Sequence, residues 1–329
     1  MIIVTGGTGL VGSNLVKVLN RVGHEDIVVV DSVGETEKWR NLEGAKIVDF
    51  INYKQGAGQI DAATQAMPLQ AIFHIGANAD VLVKDADRML NDNLEHSKAW
   101  FRIAQARGIP MYYASTSAVY GNSSECRVKT ECERPHNPYA FSKWLFDCFI
   151  AEALRSGLKA PVIGFRLFNV FGPGEEHKGE NASLPRRFMG FLCEYGRIDL
   201  FQDDIQRDYV PVEGVCAVFL DAWKNGRPSQ IVNLGAGSPI THREVAELAV
   251  AAARAADIRV EGEGIALVPM PEGLRGSFQF RTCAQDVPDW VQTHVVSNRK
   301  RMKEYMNLLA AGRRGARRQI RDGLLRVIN

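Results

Sequence analysis

The 329-residue chain has little of what marks several protein classes. Its six cysteines (Cys126, Cys132, Cys148, Cys193, Cys216 and Cys283) are scattered and form no CxxC pair. Such spacing argues against a zinc or redox dithiol motif and is expected of reduced thiols in the cytoplasm. No apolar run approaches the roughly 18 to 20 residues that span a bilayer, so no membrane partner is expected. A signal peptide is not expected, because MIIVTGGTGLVG leads straight into a strand and a glycine loop. Internal repeats and low-complexity linkers are missing too, which favours lobes packed against each other. The formal net charge is only +2, but it is unevenly spread. From Arg299 onward there are ten Lys and Arg against two acids, leaving the rest of the chain acidic. That tail carries no interleaved aromatics, so a nucleic-acid partner is not expected, and IRDGLLRVI reads as an amphipathic helix on its own protein.

What the chain does have is alternation. IIVT, DIVVV, AKIVDF, QAIFHI, PMYYAS and VIGFRLF are short β-branched or aromatic runs separated by helix-period segments. These segments include VGSNLVKVLNRVG and the long stretch from Asp85 to Arg107. Continuous apolar strands between helices predict an α/β fold: a Rossmann-type, doubly wound parallel sheet covered on both faces. Past Phe171 the pattern changes to loops, one further strand (QIVNLG) and the helix HREVAELAVAAARAA. The predicted division is a dinucleotide-binding domain over 1–171 plus about 230–238, and a smaller C-terminal substrate lobe over 172–229 and 239–329.

The first strand runs directly into Gly6, Gly9 and Gly12, followed by a helix. Glycines at this spacing allow a tight turn and close backbone approach to a pyrophosphate, while the helix N-terminus offers free N–H groups. Gly6, Gly9, Leu10, Val11 and Gly12 are therefore candidate cofactor contacts. Asp31 ends the second strand at the distance expected of a ribose-binding acid. Taken alone, Asp31 favours NAD. Ser32, Lys38 and Arg40 follow in one loop and Lys54 comes slightly later, supplying the cations and hydroxyls that a 2′-phosphate needs. The balance falls narrowly to NADP.

YYASTSAVYG leaves the fifth strand, and HNPYAFSKWLFD follows it. Tyr139 and Lys143 are four residues apart, hence on one face of a helix. A free tyrosine titrates near 10, too high for a base at neutral pH. A neighbouring ammonium and a cationic nicotinamide favour the phenolate. Thr116, at the strand end, is placed to hydrogen-bond the same substrate oxygen.

Together TGGTGLVG, Asp31, STSAVYG and YAFSK resemble the extended short-chain dehydrogenase/reductase superfamily of nucleotide-sugar enzymes. The resemblance implies catalytic roles for Thr116, Tyr139 and Lys143. It also implies cofactor contacts at Ile75, Gly76, Ala77 and Asn78, with Asn93 in the same shell. Within the superfamily NPYAFSKWLFD, GFRLFNVFGP, EEHKGENAS, QRDYV and VNLGAG look like the ADP-L-glycero-D-manno-heptose 6-epimerase family, over residues 1 to about 285. That resemblance implies NADP as cofactor, an ADP-heptose substrate of the lipopolysaccharide core pathway, a homo-oligomer (pentameric in the best-known relatives), and a catalytic Lys178. Two acid/base groups have a chemical reason. After oxidation at carbon six the ketone turns its other face, so its oxygen occupies two places, and proton transfer needs a heavy-atom distance of about 2.6 to 3.2 Å. Tyr139 serves one orientation and Lys178 the other.

By the same resemblance, Asn169 and Val170 touch substrate and cofactor, while Phe201, Gln202, Asp203, Asp204 and Arg207 receive the ADP portion. Glu180, Arg187 and Phe278 stand near the sugar in place of smaller, neutral or tyrosine residues. Asn78, Ala79 and Asp80 replace a serine pair. A 4,6-dehydratase would need an Asp–Glu pair after Thr116, where this chain has Ser117 and Ala118. The other readings are a nucleotide-sugar 4-epimerase or reductase and a non-catalytic dinucleotide sensor.

Overall fold

The computed structural model describes residues 1–80, 83–275, 279–295 and 297–327, with 63, 274, 275 and 313–327 described as backbone only. Five apolar runs form strands buried on both faces: β1 (Ile2–Thr5), β2 (Ile27–Asp31), β4 (Ala71–His74), β5 (Met111–Thr116) and β6 (Val162–Leu167). With the edge strands β3 (Asp49–Asn52) and β11 (Gln230–Leu234) they make a seven-stranded parallel sheet in the order β11-β6-β5-β4-β1-β2-β3. This is the Rossmann-type, doubly wound fold. The chain leaves β1 toward β2 on one side and later returns to β4 on the other, so a crevice opens outside the carboxyl ends of these two strands.

AKIVDF does not pair where expected. Ala45 and Ile47 pack on the core as a loop, and the strand begins at Asp49. Only Ile51 of β3 is buried, as suits a sheet edge.

Around the sheet lie α1 (Leu10–Arg21), α2 (Ala57–Thr64) and α5 (Pro138–Ser156). The Asp85–Arg107 stretch is one helical run with an irregular centre. α3 (Ala86–Met89) passes through a π-helical turn, Leu90–Glu95, into α4 (His96–Arg107).

The smaller lobe contains α6 (Leu184–Tyr195), α8 (His242–Ala255) and three short two-stranded sheets. These sheets pair β7 (Asn169–Phe171) with β10 (Tyr209–Pro211), β8 (Ile198–Phe201) with β13 (Ile265–Val268), and β9 (Gln206–Arg207) with β12 (Ile240–Thr241). Short α9 spans Glu272–Arg275. Two helices assigned by chain position to this lobe belong elsewhere: Val215 and Phe219 of α7 (Val212–Lys224) and Val291 and Val295 of α10 (Asp289–Val295) enter the core beneath the sheet. α7 packs against α1 and α10 against α7, and this packing overrides sequence order.

The basic tail forms α11 (Asn298–Val327), whose Met302, Tyr305, Met306 and Ala310 are buried in the small-lobe core. The side chains of IRDGLLRVI lie outside the described residues. Among the described residues no helix is long and apolar enough to cross a membrane.

Candidate active site

A cleft of about 760 Å³ runs from the glycine loop to the small lobe. It is lined by Gly6, Gly9, Leu10, Val11 and Gly12 at one wall and by Thr116, Tyr139, Lys143, Asn169, Val170 and Lys178 at another. Ile75, Gly76, Ala77 and Asn78 form its floor, and Arg207 closes the far end. A narrower pocket continues from it past Asp31, Ser32 and Lys38 to Tyr53, Arg88, Asp92 and His96.

The glycine loop explains the shape of the first wall. Gly6 has φ +67°, and a Cβ there would meet Gly76 Cα at 2.6 Å. A Cβ on Gly12 would lie 2.2 Å from the Gly6 carbonyl oxygen. Strands β1 and β4 therefore touch backbone to backbone, and α1 packs against the turn. Its first N–H groups face the cleft, a cradle suited to a pyrophosphate.

Asp31 is already engaged. Its carboxylate accepts from the Thr8 backbone N–H (2.9 Å) and hydroxyl, from Ser32 N–H (2.7 Å) and from Lys38 Nζ (2.9 Å). The four donors fill the carboxylate's acceptor positions. Lys38 is the one partner on a flexible stem, so it is the donor most easily moved by a ribose hydroxyl, and its ammonium is the cation nearest Asp31.

On the wall that holds Thr116, α5 starts from an Asn137 cap with Pro138 in its first turn, and this presents Tyr139 to the cleft. Burial pushes the Tyr139 phenol above its ordinary value, and a hydrogen bond with the Thr116 side chain works in the opposite direction. One turn on, Lys143 is 2% exposed, and its Nζ donates to the Ala114 carbonyl at 2.8 Å. Burial lowers its pKa to about 8, with Asp147 favouring the ammonium.

Lys178 sits in a short 3₁₀ segment, Glu176–Asn181, broken at Gly179 by a φ of +51°. Its side chain is half-buried in the cleft wall, and this burial lowers its pKa, opposed by Glu175. Arg207 at the substrate end is lowered to about 10 by burial. His242, the first residue of α8, lines the same end and is lowered to about 3 by burial and by Arg207.

Other candidates lie away from the cleft. Lys54 is exposed on a turn capped by Asn52, and Glu180 is exposed just past the Gly179 kink. Arg187 is exposed on α6, with its guanidinium over the Phe191 ring. Phe201, Gln202, Asp203 and Asp204 do not line the cleft, because the Gln202 N–H is tied to Val268 O (3.1 Å) at the outer end of β8. Phe278 lies outside the described residues.

Asn93 is buried one layer behind the cofactor wall. It accepts from Asn78 N–H (2.8 Å) and donates to Asn78 O and Ser142 Oγ (both 3.0 Å), bracing the floor against α5. Asn181, Ser183, Tyr209 and His242 do line the cleft and were not anticipated. Asn181 and Ser183 lie within EEHKGENAS and Tyr209 within QRDYV, but nothing in those stretches singles them out, and His242 lies outside any such motif.

Many solved structures share this architecture, among them the following three. An ADP-L-glycero-D-manno-heptose-6-epimerase from Helicobacter pylori is 24% identical, with a TM-score of 0.71 over 94% of this chain and 96% of that one. A UDP-glucose 4-epimerase from Thermotoga maritima is 21% identical, with a TM-score of 0.74 over 96% and 99%. A dTDP-glucose 4,6-dehydratase from Streptomyces venezuelae, solved with NAD, is 20% identical, with a TM-score of 0.77 over 95% and 98%. At these identities the likeness establishes the fold. The sequence itself matches the family model described as NAD dependent epimerase/dehydratase over residues 2–235, from the first strand to the last of the large sheet. With the glycine loop, the paired tyrosine and lysine and the strand-end threonine all inside that span, the chain belongs to the NAD dependent epimerase/dehydratase family.

Proposed function

We propose that this chain is an NADP-using nucleotide-sugar epimerase that interconverts ADP-D-glycero- and ADP-L-glycero-D-manno-heptose at carbon six. The observation that carries this reading is the lodging of Lys178, half-buried and with its pKa lowered, in the cleft that holds Tyr139. A lowered pKa makes a lysine readier to give up its proton and take it back. The glycine cradle and Lys38 fit a dinucleotide, with Gly6, Gly9 and the first turn of α1 at its phosphates and Lys38 at a 2′-phosphate.

A bound nicotinamide supplies reversible oxidation of the sugar carbinol. The protein's share is proton handling and orientation. Thr116 and the Tyr139 oxygen hold the sugar hydroxyl, and Tyr139 takes its proton. Lys143, as ammonium, favours the phenolate. Lys178 handles the proton when the oxygen stands on the other side. Arg207 grips the pyrophosphate through its planar donor fork. Neither Ser117 nor Ala118 supplies the carboxylates that an elimination needs. Assembly as a homo-oligomer belongs to the same proposal.

The test is incubation with ADP-D-glycero-D-manno-heptose, following the sugar protons by NMR. Inversion at carbon six is expected. Turnover of a UDP- or GDP-sugar instead, with the heptose untouched, overturns the substrate assignment in favour of a nucleotide-sugar 4-epimerase.

A further inference from the structure

Glu175 is a carboxylate with 0% exposure, and no role in the chemistry requires it. It accepts from both ends of the segment that carries Lys178. Gly172 N–H donates to Oε1 at 3.2 Å, Ser183 N–H to Oε2 at 2.6 Å and Ser183 Oγ to Oε1 at 2.7 Å. The chain between residues 172 and 183 thus closes a loop around its own carboxylate, with Lys178 at the midpoint. The Glu175 main chain takes part as well, because its carbonyl accepts from Lys178 N–H at 3.0 Å. A fourth donor comes from far along the sequence: the Tyr305 hydroxyl of α11, 3.3 Å from Oε1.

On its outer side the loop is pinned to the cofactor wall. Asn14 Nδ2 donates to Pro173 O at 2.8 Å and Asn41 Nδ2 to Gly174 O at 3.0 Å. An isolated carboxylate is costly to bury, and hydrogen bonds to the charged form are the strong kind that offset such a cost. A neutral surface loop would need none of this.

We infer that Glu175 is the positioning residue for Lys178, and that the C-terminal helix takes part in the site through Tyr305. This rests on the acid/base reading of Lys178 only where turnover is concerned. The C-terminal helix is then a structural part of the site, although the sequence resemblance fades before it begins.

The test compares Glu175→Gln and Tyr305→Phe by amine-reactive labelling of the intact protein, read residue by residue in the mass spectrometer. Lys178 is expected to label faster in both variants, by about tenfold in Glu175→Gln, the scale of a lost charge-assisted hydrogen bond. Lys143 stays protected. Unchanged Lys178 labelling in the folded variants, or Lys143 rising in step with it, overturns the inference. Tyr305→Phe carries the test alone if Glu175→Gln does not fold.

Turnover gives the second arm, as a double-mutant cycle with Lys178→Met. Glu175→Gln lowers turnover in the parent protein and adds little once Lys178 is gone; fully additive losses overturn positioning through Lys178. If Lys178→Met itself turns over normally, the acid/base reading fails, and the labelling arm still decides the role of Glu175.

Discussion

Arg166 and Asp147 form an ion pair at 2.8 Å in which each side chain is only 2% exposed. Arg166 also donates to Glu133 (2.7 Å) and to the Tyr120 hydroxyl (3.2 Å), while Asp147 accepts from Tyr113 OH and Ser115 Oγ, both at 2.9 Å. Burial works against the guanidinium, yet Asp147, Tyr120 and Glu133 hold it protonated above its ordinary value. The pair thus ties β6 to α5 and to the end of β5, the two elements that carry Tyr139, Lys143 and Thr116.

Replacing Arg166 by Met leaves two carboxylates buried without their partner. A loss of about 3–5 kcal/mol is expected, measured by urea unfolding. Asp147→Asn combined with Arg166→Met should lose less than the two single variants added together. Full additivity would show that the residues do not act as a pair.

Burial lowers the Lys143 pKa to about 8, which favours the ammonium below that pH and the neutral amine above it. In the proposed reaction the ammonium assists the Tyr139 phenolate, so that contribution is lost as pH rises through about 8. Asp147 favours the charged form, and Asp147→Asn is therefore expected to move the titration to lower pH. NMR of the lysine side chain reads this directly; an upward or absent shift contradicts the sign.

In the proposed reaction Tyr139→Phe removes the proton carrier while leaving the helix in place. Turnover should fall by about 10²–10⁴, the usual weight of a positioned acid/base. Dinucleotide binding, followed by fluorescence, should persist. A variant with normal turnover would favour the non-catalytic sensor.

Lys38→Ala tests cofactor choice. Loss of one charge-assisted contact, about 1.5–3 kcal/mol, should weaken NADP by roughly tenfold or more while NAD binding is maintained or improved. Equal weakening of both dinucleotides would place Lys38 outside the discrimination.

The legible parts of the molecule are those whose logic is local. Gly6, Gly9 and Gly12 stand beside one strand and one helix, and Tyr139 and Lys143 share a helix turn, so spacing alone locates them. The bracing network is not local. Tyr120 OH donates to Asn233 Oδ1 across 113 residues, and Tyr305 reaches Glu175 across 130. No periodicity marks such partners. Sequence position likewise misplaced α7 and α10, whose apolar faces are satisfied by the sheet. Lys54, by its place after the second strand, and Glu180 and Arg187, by the resemblance, read as site residues, but a turn exposes Lys54, the Gly179 kink is followed by an exposed Glu180, and Arg187 is on the solvent side of α6.

The π turn at Leu90–Glu95 carries one more lesson. A regular α-helix would rotate Asn93 away from the Asn78 loop, because each residue advances the side-chain direction by about 100°. Deleting a single residue from this turn is expected to give a straighter, better-bonded rod that no longer aims its amide. The irregularity is a sighting mark: the protein accepts a weaker helix there so that the floor beneath the dinucleotide keeps its height.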